Sequence, residues 1–253
     1  MRSRPVLLLD VDGVILDNER WEKESARLGG PALASLLGGD PEVWAAHQER
    51  VWQEVWRRGS SEFRSDPGLR GLNLSRWWDR VEAEWIAQVC EVVGVEAPGT
   101  FEERVDVAER ATIHILENTE GIFPGAAGAI EELSGRFEIH MASGNPSFVV
   151  ETVLRRLDVR DRVGRPFGSD LVGFQKGDSR YYPAILEAVG AVPSRTIVVD
   201  DGEEPLAAAR AAGLRTVKVG GAASDESDLA VGSLAELPDV IAEVVESTET
   251  ETS

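Results

Sequence analysis

Val6-Leu7-Leu8-Leu9-Asp10-Val11-Asp12-Gly13-Val14 is the stretch whose reading decides the fold. Four apolar residues run without interruption between Pro5 and Asp10. A short continuous apolar run of this kind predicts a strand buried on both faces, as in a parallel sheet. It closes on two aspartates two positions apart, so acidic chemistry is set at the carboxyl end of a buried strand.

Further along the chain, residues 126–133 read as a helix after Phe123-Pro124-Gly125, and residues 137–142 as a strand ending in Ser143-Gly144-Asn145-Pro146. Helices are expected over 147–157 and 181–189. A strand over 196–199 closes on Asp200-Asp201. A helix over 205–212 is ended by Gly213, a strand follows over 216–219, and a last helix spans 234–245. Gly directly after a helical run is a C-cap signal. Strands alternating with helices imply right-handed crossovers and a doubly wound parallel sheet. The fold class is therefore α/β, a Rossmann-like core to which the first strand belongs.

Residues 18–118 break this pattern. Trp77, Val81, Trp85 and Val89 recur four apart, and Val51 and Val55 do likewise, which is helical spacing. Gly38-Gly39-Asp40-Pro41 and Ser65-Asp66-Pro67-Gly68 punctuate the stretch with turn chemistry. All seven tryptophans lie in it, between Trp21 and Trp85. The layout that follows is a core of residues 1–17 and 119–246, a mainly helical cap of residues 18–118 with a core of its own, and a Ser/Thr/Glu tail over 247–253 expected to be disordered.

Composition sets bounds on function. The chain has 253 residues, 26 Lys plus Arg against 45 Asp plus Glu, and a formal charge of -19. Nucleic-acid binding needs a basic face, so this chain is a poor candidate for it. An anionic substrate would require a locally positive site. The one cysteine, Cys90, admits no intramolecular disulfide and reads as a buried structural thiol. No apolar stretch approaches bilayer length, and the first apolar run is too short for a signal peptide, so a cytoplasmic protein with no membrane partner is expected. His47, His114 and His140 lack metal-ligand spacing, and His140 reads as structural.

In a parallel sheet, ligands sit beyond the carboxyl ends of the strands. Asp10, Asp12, Ser143, Asp200 and Asp201 all fall there, and Lys176 lies in the loop Gly173-Phe174-Gln175-Lys176-Gly177-Asp178 just before a helix. Crowded carboxylates repel one another unless a cation neutralises them. Hard oxygen donors suit Mg²⁺, which keeps several waters and takes one or two carboxylates plus substrate phosphate. An aspartate can attack phosphorus and form an aspartyl phosphate. A second aspartate can protonate the leaving oxygen and then deprotonate water. Ser143, with the backbone N–H groups of Gly144 and Asn145, can hold phosphoryl oxygens, and Lys176 supplies fixed positive charge.

Four of these segments, in this order, resemble the signatures of the haloacid dehalogenase superfamily: Asp10-Val11-Asp12-Gly13-Val14, Ser143, Lys176, and Val198-Val199-Asp200-Asp201-Gly202 followed by Ala207-Ala208-Ala209-Arg210-Ala211-Ala212-Gly213. The resemblance implies that Asp10 is nucleophile and metal ligand, and that Asp12 is the acid/base with its backbone carbonyl on Mg²⁺. It implies that Ser143 and Lys176 bind phosphate and that Asp200 and Asp201 complete the metal site. Dehalogenases of the superfamily lack the second aspartate and need no metal, whereas phosphatases and phosphomutases keep it. Asp12 thus implies a phosphatase acting on a small phosphorylated metabolite, as a monomer or homodimer. A phosphomutase or phosphotransferase on a sugar phosphate and a non-catalytic phosphate-binding protein are the alternatives. Two departures stand out: Lys176-Gly177 where many relatives have Lys-Pro, and Pro205 where some carry a further acid.

Each feature also has a plainer reading. Asp-Gly and Ser-Gly-Asn-Pro are turn formers, Asp201 could cap a helix, and tryptophans at helical spacing are usually core. The alternatives for the cap are that its tryptophans roof a bulky leaving group, and that Arg57, Arg58, Arg64 and Arg70 bind a second anionic group.

Overall fold

A computed structural model describes residues 4–65 and 74–241. Its elements in chain order are β1 (Val6–Leu9), α1 (Asn18–Leu37), α2 (Pro41–Ser65), α3 (Leu74–Val93), α4 (Phe101–Asn118), α5 (Ala126–Ser134), β2 (Glu138–Ala142), α6 (Ser147–Arg156), β3 (Pro166–Phe167), α7 (Ser169–Val172), α8 (Tyr181–Val189), β4 (Thr196–Asp200), α9 (Glu203–Ala211), β5 (Arg215–Val219) and β6 (Leu229–Val231). The chain divides at Asn18/Glu19 and again at Gly121/Ile122 into two compact units.

The first unit carries one six-stranded sheet in the order β3-β2-β1-β4-β5-β6, with every pairing parallel. This is a Rossmann-like doubly wound order, which reverses direction between β1 and β4, and that switch point is where such sheets bind ligands. β1 is central, and Leu7, Leu8 and Leu9 are fully buried. Period-2 alternation sends Leu8 to one face, where it packs with Val198, Tyr182, Ile185 and Leu206 beneath α8 and α9. Register fixes the functional level: Leu9 stands opposite both Met141 and Val199. The residues that follow, Asp10, Ala142 and Asp200, therefore come level at the carboxyl edge, and Ser143 lies one step beyond.

Three short elements escape a reading from sequence. β3 has two residues, α7 four and β6 three, too few to show a period. The last helix begins as a 3₁₀ turn, Leu234–Glu236, and continues over 237–241. The rest of the span expected to reach 245, and the tail 247–253, lie outside the described residues. So do the turn at 66–68 and Arg70.

The second unit holds α1 to α4. Trp44, Trp77, Trp78 and Trp85 are buried in one cluster with Val51, Val55, Val81 and Ile86. Buried indole N–H groups need acceptors, and Trp44 Nε1 donates to Gly38 O at 2.8 Å and Trp85 Nε1 to Gln48 O at 3.2 Å. Four of the seven tryptophans are thus core, while Trp56 stays 37% exposed, stacked on Trp78. Arg58 pairs with Glu84 at 3.0 Å. Cys90 is fully buried, and burial pushes its thiol up to about 11.

α4 starts on a capping box: Glu103 N–H donates to Thr100 Oγ1 at 3.1 Å, and Thr100 N–H donates to Glu103 Oε2 at 2.9 Å. Thr100→Ala removes the cap and should lower unfolding free energy by about 1 kcal/mol in urea denaturation.

His140 in β2 is structural in a definable way. Its Nδ1 accepts the Arg165 backbone N–H at 2.8 Å, which places the proton of the neutral ring on Nε2, facing Glu138 Oε1 at 3.3 Å. Burial holds its pKa below the ordinary 6.5, with Glu138 opposing. The unfolded chain therefore takes up a second ring proton more readily than the native one, whose Nδ1 is engaged by Arg165 N–H, and stability falls as pH drops through 6.5. Chemical denaturation at stepped pH should show that slope in the wild type and a smaller one in His140→Asn, which cannot titrate.

Candidate active site

The site is built on the ends of β1, β2 and β4. After Leu9 the chain turns sharply. Asp10 N–H still donates to Val199 O at 3.0 Å, while Ile15 and Leu16 N–H both return to Val11 O at 2.8 Å. Gly13 N–H donates to Leu16 O at 2.8 Å and lies 3.1 Å from Asn18 Oδ1. Gly13 sits at φ +68, and a Cβ there would run into the Asp201 carboxylate. Glycine is thus required twice over, for the left-handed backbone and for the close approach of Asp201.

Asp10 and Asp200 are buried, and both face Lys176, itself buried in its loop. Lys176 Nζ lies 2.7 Å from Asp10 Oδ2 and is ion-paired with Asp200 Oδ2. Burial works against the lysine's charge, but Asp10 and Asp200 outweigh it and hold its pKa above the ordinary value. Burial pushes the Asp10 carboxyl well above the carboxylate range; Lys176 opposes this, and Asp200 and Asp12 add to it. Asp201 is raised by burial and by Asp200. One ammonium thus leaves the acidic cluster under-compensated.

One carboxylate oxygen each from Asp10, Asp200 and Asp201 lies within 4.8 Å of the others. The donors are all hard oxygens, and their charge exceeds that of the lysine, so the set fits a hard divalent cation. Asp12 stands beside them, partly buried, with Oδ2 accepting from Asn145 Nδ2 at 2.8 Å. Burial raises its pKa, while the Asn145 bond and Lys176 pull the other way.

The Ser143 turn forms the opposite wall. Ser143 is fully buried; its N–H donates to Phe167 O at 3.0 Å, and its Oγ accepts from Asn145 N–H at 3.2 Å. Around it stand residues that sequence reading passed over. Ser169 Oγ donates to Gly144 O at 2.8 Å. Asp170 caps α6, taking the Ser147 N–H at 2.7 Å and its hydroxyl at 2.6 Å. Tyr181 OH donates to Ser143 O at 2.9 Å. Asn145, expected to act through its backbone, also acts through its side chain. A Gly-Ser-Asp run ahead of a turn was the one available signal, for Asp170; none pointed to Tyr181. The six residues expected to carry the chemistry, Asp10, Asp12, Ser143, Lys176, Asp200 and Asp201, lie at one end of one sheet.

A doubly wound sheet with acids and one lysine at its switch point defines an α/β protein with a candidate active site at the carboxyl ends of its strands. The chain belongs to the haloacid dehalogenase-like hydrolases, whose family model matches residues 5–213. No curated protein matches it significantly. Among solved structures it is similar to YfnB from Bacillus subtilis, bound to magnesium (TM-score 0.63, 19% identity, covering 95% of this chain and 99% of that one). It is similar to 2-haloacid dehalogenase from Pseudomonas syringae pv. Tomato DC3000 (TM-score 0.63, 20% identity, 95% and 99%). It is also similar to CbbY from Rhodobacter sphaeroides in complex with phosphate (TM-score 0.57, 20% identity, 92% and 96%). At such identities these likenesses establish the fold.

Removing the lysine tests the electrostatic account without substrate. Lys176→Met leaves two buried carboxylates unpaired, which should cost about 3–5 kcal/mol of stability at neutral pH in the presence of a chelator. Carboxyls whose native pKa is raised are penalised more as pH rises, so the deficit should shrink toward pH 5. A deficit independent of pH would contradict this origin.

Proposed function

We propose that the protein is a Mg²⁺-dependent hydrolase of small phosphomonoesters that works through an aspartyl phosphate on Asp10. The observation that carries the reading is Asp12, a second aspartate beside the Asp10–Asp200–Asp201 cluster. A metal-free dehalogenase has no use for a fourth acid there, and phosphoryl transfer needs both a nucleophile and a proton carrier. The magnesium reported for YfnB and the phosphate reported for CbbY support the same reading.

Asp10, Asp200, Asp201 and the Asp12 backbone carbonyl would hold the ion. When bound, it supplies positive charge that offsets the repulsion between these carboxylates and an anionic substrate. The chain's own residues do the rest. Ser143, the N–H groups of Gly144 and Asn145, and Lys176 bind the phosphoryl oxygens and orient phosphorus toward Asp10. A carboxylate oxygen of Asp10 attacks phosphorus, the bond to the leaving oxygen breaks, and Asp12 gives that oxygen a proton. Asp12 then takes a proton from water as the water oxygen attacks phosphorus, the bond to Asp10 breaks, and inorganic phosphate leaves. Burial raises the Asp12 carboxyl from its ordinary value, the direction that favours an acid/base role. The chain functions as a monomer or homodimer in the cytoplasm.

The test is hydrolysis of p-nitrophenyl phosphate with Mg²⁺, with EDTA, and by Asp10→Asn. Activity should require Mg²⁺ and fall by about 10⁴-fold or more in the variant, as when a covalent nucleophile is lost. Chloride release from 2-chloropropionate, with no phosphate ester hydrolysed, would overturn the reading in favour of a dehalogenase. Products formed from a sugar phosphate separate hydrolysis from mutase chemistry.

A further inference from the structure

We propose that Tyr181 is a positioning residue that fixes the Ser143 turn relative to Lys176. The proposal rests on the phosphate-binding roles given above to Ser143 and Lys176.

Tyr181 is fully buried, and its hydroxyl donates to the Ser143 carbonyl at 2.9 Å across 38 residues of chain. It is five residues from Lys176 and tied to the lysine loop by short-range hydrogen bonds. Asp178 N–H donates to Gln175 O at 2.8 Å and Tyr181 N–H to Asp178 O at 2.9 Å. Arg180 grips the Asp178 carboxylate at 2.9 and 2.8 Å and lies 4.4 Å over the Phe174 ring. The loop that presents Lys176 therefore moves with Tyr181.

The Ser143 turn has ties of two kinds. Phe167 and Ser169 hold it from β3 and α7, and α7 leads into the start of the lysine loop, where Gly173 N–H donates to Ser169 O at 2.8 Å. Tyr181 adds a second link, from the far side of that loop. The link has work to do because Gly177 follows Lys176, where a proline would stiffen the backbone. A hydrogen bond in a dry interior restrains what the sequence leaves loose.

Tyr182 provides the control. It is equally buried, and its ring meets that of Tyr181 edge-on at 5.1 Å, but its hydroxyl has no hydrogen-bond partner among the described residues. Removing either hydroxyl leaves the ring packing in place, and only one removal cuts the tie to Ser143.

Tyr181→Phe and Tyr182→Phe are compared with wild type in two ways. With p-nitrophenyl phosphate and Mg²⁺, the Ki for inorganic phosphate should rise about three- to tenfold in Tyr181→Phe, the scale of one neutral hydrogen bond, and stay unchanged in Tyr182→Phe. Ki does not depend on the fraction of folded enzyme, so a purely structural role would not move it. Hydrogen–deuterium exchange of peptides spanning 143–147 should quicken in Tyr181→Phe alone. Unchanged exchange there in Tyr181→Phe, or an equal change in Tyr182→Phe, overturns the proposal whatever the kinetics show. If wild type neither hydrolyses the ester nor binds phosphate, the phosphatase reading fails, and the exchange result still decides the role of Tyr181.

Discussion

Among the described residues Lys176 is the buried cation, and it faces two buried aspartates on neighbouring strands. Much of the sheet unit can be understood from that arrangement. Parallel pairing brings Asp10 and Asp200 level, and the reversal of strand order between β1 and β4 opens the crevice at that point. Burial raises the Asp10 carboxyl and Lys176 opposes it, while Asp10 and Asp200 together hold the lysine charged against its own burial. The balance is incomplete, because Asp12 and Asp201 add further negative charge. The excess negative charge of such a cluster suits a hard divalent cation.

The other features of the site keep these charges in place. Gly13 gives Asp201 room that any Cβ would remove, Asn145 holds Asp12, and Asp170 caps the helix that follows Ser143. The insertion between β1 and α5 is a compact unit of its own. Its four helices bury their own tryptophan core, while the strands on either side of the insertion still pair edge to edge. A unit with a core of its own can vary without altering the chemistry at the sheet, which is how one fold comes to serve different substrates.

The sequence revealed the candidate site residues more readily than the residues that support them. The apolar run before Asp10 and the alternation of strands with helices predicted the parallel sheet, and β1, β2, β4 and β5 form within a residue or so of their expected bounds. Acids at strand ends announce themselves because charged residues directly after a buried strand have few structural reasons to be there. β3, α7 and β6 were illegible because two to four residues show no period. Asp170 and Tyr181 were illegible for another reason. Their partners lie 23 and 38 residues away in the chain, and such hydrogen bonds leave no local pattern. The tryptophan stripe was ambiguous as sequence, and burial resolves it as core for Trp44, Trp77, Trp78 and Trp85.

The central claim is that Asp10 becomes covalently phosphorylated. The direct measurement is acid quench of the enzyme during turnover of a phosphomonoester with Mg²⁺, followed by peptide mass spectrometry. The account predicts a phosphoryl group on the peptide containing Asp10, absent with EDTA and absent in Asp10→Asn. Release of phosphate by an enzyme that turns over without ever carrying that group, under quench times short of one turnover, would mean that water attacks the substrate directly, and would contradict it.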